Sequence, residues 1–145
     1  MVITNSIPVV NLLKGRKNIK LIVAPGEYED ASQGMVSFST ADFFRHIHAD
    51  KVFISTQGVN DLGELTVPEM TDAHVKQALM RAGRQKILLA DSSKYGLWSL
   101  FNVAPLRELT DIVTDNGLDA DTIARLAREG VHLVVADTET TPENA

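Results

Sequence analysis

Short, predominantly apolar runs recur along this chain, and segments with helical features separate them. The runs fall at residues 2–4, 20–24, 52–54, 86–90, 112–114 and 133–136. Strands that are buried on both faces have such continuous apolar sequences, whereas strands with one exposed face alternate between apolar and polar residues. Strands that alternate with helices form βα units and pair mainly in parallel. The pattern therefore predicts a mainly parallel sheet whose two faces are covered.

Capping residues and apolar spacing predict where the helices between these runs lie. Ser6 with Pro8 opens the first helix, Ser39 or Thr40 opens the second, and a third spans about residues 71–84. A short helix is predicted near residues 105–109, and a last one over about residues 119–129, with Gly130 just past its end. Segments 27–38 and 58–68 are predicted to be loops, and the acidic residues 137–145 a flexible tail. The fold class that we predict is α/β, with a three-layer, Rossmann-like sheet.

Composition narrows the classes of function that the chain can have. Its 145 residues fit one domain, and the lack of cysteine removes disulfides and thiolate chemistry. A net charge of −5 is unsuited to a surface that binds the phosphates of nucleic acid. No apolar run approaches the roughly 20 residues of a membrane span, and no signal peptide is recognisable. We expect a cytoplasmic domain that binds neither membrane nor DNA directly.

The familiar cofactor and metal motifs are absent from the sequence. It contains no glycine-rich dinucleotide fingerprint, no P-loop, no zinc-protease motif and no serine-hydrolase elbow. His46 and His48 would point in different directions at the end of a helix, which makes a metal site there improbable. We therefore predict no cofactor and no metal.

Polar or glycine-bearing turns follow most of the predicted strands. They are Thr4-Asn5-Ser6, Pro25-Gly26, Gln57-Gly58, Asp91-Ser92-Ser93-Lys94 and Thr114-Asp115. Ligands of open α/β sheets bind outside the carboxyl ends of the strands, so these turns predict a polar site along one edge. Ordinary turn chemistry accounts for the same residue types, and this alternative stays open.

The sharpest local signal is the segment Asp-Ser-Ser-Lys-Tyr-Gly at residues 91–96. Ser92 and Ser93 would leave backbone N–H groups accessible, and Lys94 would add a positive charge, which together suit an anion such as phosphate. In the alternative interpretation, Asp91 caps a helix and Lys94 is a solvated surface residue. The sequence alone favours neither.

Two further groups of polar residues have a functional and a structural interpretation. The segment 58–66 has two glycines around a polar centre, so it could bind a sugar through Asn60 or Thr66, or it could be an ordinary turn. Asp72 and Lys76 have the i, i+4 spacing of a surface ion pair worth a few tenths of a kcal/mol. Alternatively, the carboxylate of Asp72 could bind sugar hydroxyls or move a proton.

Taken in order along the chain, these motifs resemble a known family. They are Thr4-Asn5-Ser6, the 58–66 segment, Lys76 within a helix, the block from Leu88 to Gly96, and Ile112-Val113-Thr114-Asp115. Together they look like the C-terminal effector-binding domain of DeoR-family bacterial transcriptional regulators, over residues 2 to about 136. The resemblance implies the fold shared with ribose-5-phosphate isomerase and glucosamine-6-phosphate deaminase.

The resemblance also implies a role and a set of contacts. The chain would sense a phosphorylated sugar or a related small anionic metabolite, form a homo-oligomer, and control DNA binding by an N-terminal winged helix-turn-helix. Lys94, with Ser92 and Ser93, would neutralise the anionic group. Carried over by position, the ligand-binding residues are Thr4, Asn5, Gly26, Gly58, Asn60, Thr66, Asp72, Ser92, Ser93 and Lys94.

The sequence departs from the family pattern in three ways. No helix-turn-helix is present, and the family's first strand, with a loop that helps to hold phosphate, would precede the point where this chain starts. We therefore expect residues 1–136 to be a sensor domain that lacks its first βα unit. Pro25-Gly26 stands where the family typically has Gly-Gly, and Asp72 where Glu is common, which leaves the identity of the ligand open.

Two other functions compete with the sensor. An isomerase or deaminase of the same fold would need a base near the substrate carbon, and Asp72 is the best candidate. No second acid–base group is apparent, so we assign no catalytic residue and predict that the chain is not an enzyme. A third possibility is a fragment that only forms oligomers.

Overall fold

The computed structural model describes residues 1–136, so the predicted acidic tail at residues 137–145 lies outside the described residues. The described part contains four α-helices, α1 (Ile7–Leu13), α2 (Phe38–Arg45), α3 (Met70–Ala82) and α4 (Ala120–Arg128). Its strands are β1 (Val2–Thr4), β2 (Leu21–Val23), β3 (Tyr28–Glu29), β4 (Gly34–Met35), β5 (Ala49–Ile54), β6 (Gly58–Val59), β7 (Glu64–Val67), β8 (Gly83–Leu89), β9 (Phe101–Pro105), β10 (Asp111–Thr114) and β11 (His132–Val135). Short 3-10 helices span Ser92–Lys94 and Leu106–Glu108.

The largest sheet has four strands in the order β11-β10-β8-β5, and every pair in it is parallel. The apolar runs that predicted these strands supply the core, because Leu88 and Ile112 are fully buried and lie opposite each other in the register. The prediction of an α/β fold with a mainly parallel, Rossmann-like sheet is confirmed.

A second parallel sheet consists of β1 and β2 alone, with Ile3 opposite Ile22. In the described part of the chain, β1 pairs with no strand but β2, and β5 pairs with no strand but β8. Each of the two parallel sheets therefore has a strand whose second edge is unpaired.

Strands β6, β7 and β9 form an antiparallel sheet, and β6 and β7 lie in the segment 58–68 that was predicted to be a loop. Val59, Leu65 and Val67 are buried almost completely, so this hairpin belongs to the main core. Strands of two to five residues are too short to show a clear alternation of apolar and polar residues. The glycines in this segment also favour the prediction of a turn. Segment 27–38 likewise contains the small hairpin β3–β4 rather than only a loop.

Helices α2 and α3 pack against each other beside the sheets, around Phe44, Val75 and Ala78. The hydroxyl of Thr40 donates to the carbonyl oxygen of Pro25 at 2.6 Å, so α2 begins beside the end of β2. Its cap is Ser37 rather than the predicted Ser39 or Thr40, because the Ser37 side chain accepts from the Thr40 N–H. No helix among residues 1–136 is long and apolar enough to cross a membrane.

Candidate functional site

A cavity of about 1080 Å³ lies between the unpaired edges of β1 and β5. Apolar and polar side chains both line it, His48, Asp50 and Lys51 among them at the start of β5, and a second group of polar residues lies where the two strands end. These polar residues are Thr4, Asn5, Ser55, Gln57, Asp72 and Lys76. The carboxyl ends of parallel strands are where open α/β sheets bind ligands, so this polar end of the cavity is the candidate site.

A nearly buried ion pair between Asp72 and Lys76 lies on the helical wall of the polar end. Lys76 Nζ is 2.8 Å from Asp72 Oδ1, and the two side chains are only 15% and 10% exposed. The i, i+4 spacing on α3 brings them together, as the sequence indicated. An ion pair removed from water needs further polar partners, and the ammonium group has three N–H donors, of which Asp72 uses one. The pair can therefore offer both donors and acceptors to a polar ligand.

Local hydrogen bonds hold Thr4 and Asn5 at the end of β1. The Thr4 hydroxyl oxygen accepts from the Ser6 N–H at 3.0 Å, and the Asn5 side-chain amide donates to the Met35 carbonyl oxygen at 3.0 Å. The Asn5 carbonyl oxygen accepts from the Met35 N–H. The turn after β1 is thus anchored to β4, which fixes its position at the polar end of the cavity.

The two glycines of the predicted site permit close approach between chain segments. A Cβ on Gly26 would collide with the Thr40 hydroxyl at the start of α2, and its φ of 151° favours glycine. A Cβ on Gly58 would collide with the carbonyl oxygen of Leu97. Both positions require glycine for packing, whatever else they do.

Asn60 and Thr66 are fully buried, and their side chains hold the β6–β7 hairpin. The Asn60 side-chain oxygen accepts from the N–H groups of Leu62 and Glu64, each at 3.0 Å, and its amide donates to the Glu64 carboxylate. The Thr66 hydroxyl accepts from the Ser99 N–H at 3.1 Å. Their polar atoms are therefore occupied within the protein, and ligand contact by these two residues stays a prediction.

The Asp-Ser-Ser-Lys turn follows β8, and its backbone N–H groups are already bonded to carboxylates. Asp91 caps the 3-10 helix, since its side chain accepts from the Ser93 N–H at 2.9 Å and from the Ser93 hydroxyl. Asp115 accepts from the Ser92 N–H at 3.3 Å. The expectation that these two N–H groups are accessible to an anion is wrong, and the capping role of Asp91 is the one observed.

Hydrogen bonds to these two carboxylates favour their ionised form. Bonds from the Ser93 hydroxyl and N–H lower the pKa of Asp91, and bonds from Gly117 and Ser92 lower the pKa of Asp115. Lys94 makes no ion pair within 4.0 Å among residues 1–136. Asp91 and Asp115 therefore place negative charge beside this turn. In the described part of the chain, Lys94 forms an ion pair with neither of them.

The cavity brings together three of the predicted ligand residues, Thr4, Asn5 and Asp72. The remaining predicted ligand residues do not line the cavity. These are Gly26, Gly58, Asn60, Thr66, Ser92, Ser93 and Lys94. Sequence reasoning did not select Lys76 or Ser55 as ligand residues, and it named Gln57 only as part of a polar turn at this edge. Ser55 and Gln57 directly follow an apolar strand, which is the signal that could have found them. Residues 1–136 contain no group of three side chains suited to a metal ion.

Comparisons with known proteins agree with this architecture. The sequence model of the DeoR C-terminal sensor domain family matches residues 1–116. An uncharacterised HTH-type transcriptional regulator of Haemophilus influenzae is 33% identical over 92% of this chain and 52% of its own length. The HTH-type transcriptional repressor GlcR of Bacillus subtilis is 30% identical, over 94% of the chain and 52% of that protein.

A third relative is the lactose phosphotransferase system repressor of Staphylococcus epidermidis, 32% identical over 79% of the chain and 46% of that protein. The chain thus spans about half the length of these curated relatives. The family and the names of the relatives point to a non-enzymatic regulator rather than an isomerase or a deaminase. From the matching family model and the observed fold, we conclude that the chain belongs to the DeoR C-terminal sensor domain family.

Proposed function

We propose that this domain senses a phosphorylated sugar or a related small anionic metabolite at the polar end of the cavity between β1 and β5. The observation that carries the proposal is the nearly buried Asp72–Lys76 pair in the cavity wall. In this role Lys76 binds the anionic group of the ligand, and Asp72 accepts hydrogen bonds from its hydroxyl groups. The relative named for the lactose phosphotransferase system supports a ligand class that is linked to sugar phosphorylation.

The remaining contacts follow from the geometry of the same cavity end. Thr4 and Asn5 approach the ligand from the end of β1, and Gln57 approaches it from the segment after β5. Lys94, with Ser92 and Ser93, lies in the 3-10 helix that follows β8, and we propose it as an outer contact for the anionic group. Gly26, Gly58, Asn60 and Thr66 are proposed to shape the loops beside the ligand.

The regulatory part of the proposal extends beyond this domain. Ligand binding would alter how sensor domains associate in a homo-oligomer and thereby control DNA binding by a winged helix-turn-helix in the same polypeptide. A ligand does this only if it binds one arrangement more tightly than the other. A regulator of this kind acts in the cytoplasm, where bacterial DNA and sugar phosphates meet.

A thermal-shift screen tests the ligand class. The chain is heated with a panel of phosphorylated sugars and polyols, each beside its unphosphorylated counterpart. A ligand that binds only the folded protein stabilises it by RT ln(1 + [L]/Kd), so at least one phosphorylated compound should raise the melting temperature more than its counterpart. A panel without any such shift would contradict the proposal.

Substitutions at Lys76 test which group binds the anion. Removing Lys76 alone would leave Asp72 charged and nearly buried, so the informative variant is Asp72→Asn with Lys76→Met. Hydrogen bonds to charged groups contribute about 1.5–3 kcal/mol, so the affinity should fall by roughly 10- to 100-fold. Lys51→Met is the matched control, because Lys51 lines the same cavity beside the start of β5. Equal losses in both variants would show that Lys76 has no special role.

A further inference from the structure

Charged side chains are distributed unevenly along this chain. Residues 1–26 contain four lysine or arginine residues and no acidic residue, whereas residues 27–145 contain all 19 aspartate and glutamate residues. The formal side-chain charge is therefore +4 in the first segment and −9 in the second, although the whole chain carries −5. Charge asymmetry of this kind is typical of chains that contact nucleic acids or membranes, and the net charge conceals it.

The four cations lie in one short segment between α1 and β2, which we call the basic turn. It spans residues 14–20 and contains Lys14, Arg16, Lys17 and Lys20. All four residues are exposed. None of them forms a salt bridge with a carboxylate among residues 1–136. Their positive charges are therefore available to an anion outside the domain.

Backbone hydrogen bonds give the basic turn a defined shape. The Arg16 N–H donates to the Leu13 carbonyl oxygen at 3.1 Å, and the Ile19 N–H donates to the Arg16 carbonyl oxygen at 3.2 Å. A bond of this kind between residues i and i+3 closes a turn whose end Cα atoms are less than about 7 Å apart. Gly15, with a φ of 79°, allows the chain to leave α1 and enter the first of these turns. The cations thus form a compact group.

A structural role accounts for one of the four cations. Lys14 is the C-cap of α1, where the helix dipole favours positive charge, and its Nζ donates to the side-chain oxygen of Asn11 at 3.1 Å. Arg16, Lys17 and Lys20 lie beyond the last turn of the helix, where the influence of the dipole has fallen off. The end of α1 therefore does not explain why these three residues are basic.

The basic turn lies where the polypeptide enters β1. Strands β1 and β2 are parallel, with Val2 opposite Leu21, and the Val2 N–H donates to the Lys20 carbonyl oxygen at 2.8 Å. The amino ends of the two strands therefore lie side by side, at the opposite end of β1 from the proposed ligand site. The family model describes a C-terminal domain, so the remainder of a full-length regulator precedes β1 in the sequence. The proposed function places the winged helix-turn-helix in that preceding part.

We propose that the basic turn binds phosphate groups of duplex DNA and adds a contact that does not depend on base sequence. Duplex DNA carries one negative charge per about 1.7 Å of its axis, which suits a compact group of cations, and lysine and arginine are common partners of its phosphates. The inference rests on the proposed role in a DNA-binding regulator, which favours DNA over a membrane as the polyanion. The net charge of −5 alone predicts no direct contact with DNA, and the proposal departs from that prediction at the basic turn.

The salt dependence of binding tests the proposal on the complete chain. The chain is titrated into a fluorescently labelled duplex of about 20 base pairs, and binding is followed by anisotropy. The logarithm of the binding constant falls with that of the salt concentration by about 0.9 per phosphate contact, so four contacts predict a slope of about −3.6. Binding should thus weaken about 300-fold between about 20 and 100 mM salt. A duplex of unrelated sequence should bind with nearly the same affinity, because phosphate contacts carry no base information.

Two variants with the same net charge show where the contact lies. The first removes the cations of the basic turn through Lys14→Gln, Arg16→Gln, Lys17→Gln and Lys20→Gln. The control removes four exposed arginines on other elements through Arg45→Gln, Arg81→Gln, Arg107→Gln and Arg128→Gln. The first variant should bind at least about tenfold more weakly at low salt and lose the salt slope, while the control keeps a slope near −3.6. Lys17→Gln alone should reduce the steepness of the slope by about 0.9.

Several outcomes would overturn the proposal. The complete chain would then fail to bind the duplex at low salt, or the two four-site variants would lose affinity equally, which would assign the effect to net charge. Melting temperatures close to that of the original chain would show that both variants are folded. Vesicles with equal parts of phosphatidylserine and phosphatidylcholine are the second probe, and binding to them without binding to the duplex would assign the basic turn to a membrane surface instead. None of these measurements involves the ligand, so a failed thermal-shift screen and a failed DNA titration are separate results.

Discussion

Asp111 connects three neighbouring strands of the main sheet through its side chain. Its carboxylate accepts from the Gln85 side-chain amide at 2.8 Å and from the Thr110 hydroxyl at 2.7 Å, and it lies 2.9 Å from His132 Nδ1. These hydrogen bonds, from Gln85 first, lower the pKa of Asp111 from 3.8 to about 2. The ionised form is thus the one that the folded state prefers.

The stability of the fold should therefore depend on pH in the acidic range. A carboxyl group whose pKa is lower in the folded state stabilises the fold above its unfolded pKa, and this contribution is lost as the pH falls through the folded value. For Asp111 the loss is expected between pH 3.8 and about 2. Urea unfolding at several pH values should show a smaller decline for Asp111→Asn than for the original chain. An identical decline in both proteins would contradict this prediction.

Asn60 contributes to stability through the turn between β6 and β7. Its buried side-chain oxygen accepts from the N–H groups of Leu62 and Glu64, which Asn60→Ala would leave without this partner in a part-buried turn. A buried polar group without its partner costs about 1–3 kcal/mol, so the free energy of unfolding should fall by about that amount. Denaturant unfolding measures the change, and Asn11→Ala, at an exposed position of α1, is the control. A loss of affinity for ligand without a loss of stability would instead favour a direct contact by Asn60.

The helix caps allow a sharp prediction at the level of secondary structure. The sequence predicted Ser39 or Thr40 as the first residue of the second helix, whereas the structure places the cap at Ser37, whose hydroxyl accepts from the Thr40 N–H at 3.1 Å. Loss of such a cap typically costs about 1 kcal/mol. We expect Ser37→Ala to lower the free energy of unfolding by that amount and Ser39→Ala to lower it by less. Thermal or urea unfolding of the two variants distinguishes the caps, and the reverse order would show that α2 begins later.

Strands of the parallel sheet could be predicted from sequence because burial on both faces leaves an uninterrupted apolar run, as in Ile87-Leu88-Leu89. The strands β6, β7 and β9 could not, because they are short and interrupted by Gly58, Thr66 and Asn102. Their strand character depends on partners that are distant in the sequence, since β7 pairs with β9 across more than thirty residues. Local patterns carry no information about such pairing.

The candidate site was predictable only in part, for a related reason. Thr4, Asn5 and Asp72 could be selected because polar residues after strands gather at one sheet edge. Whether such residues meet in one cavity depends on strand order, which the sequence does not display. Lys94 follows β8, which is the neighbour of β5 in the main sheet, and so it lies one strand further along the edge than Gln57 and does not line the cavity. The proposed role of Lys76 rests on its burial with Asp72, which depends on tertiary packing rather than on a local sequence pattern.

In the whole molecule, the proposed ligand site lies between two separate parallel sheets. Thr4 and Asn5 lie at the end of β1 in one sheet, whereas Gln57 follows β5 in the other. A ligand that contacts residues from both sheets would bind most tightly at one spacing of the two sheets, so its binding would favour that arrangement over others.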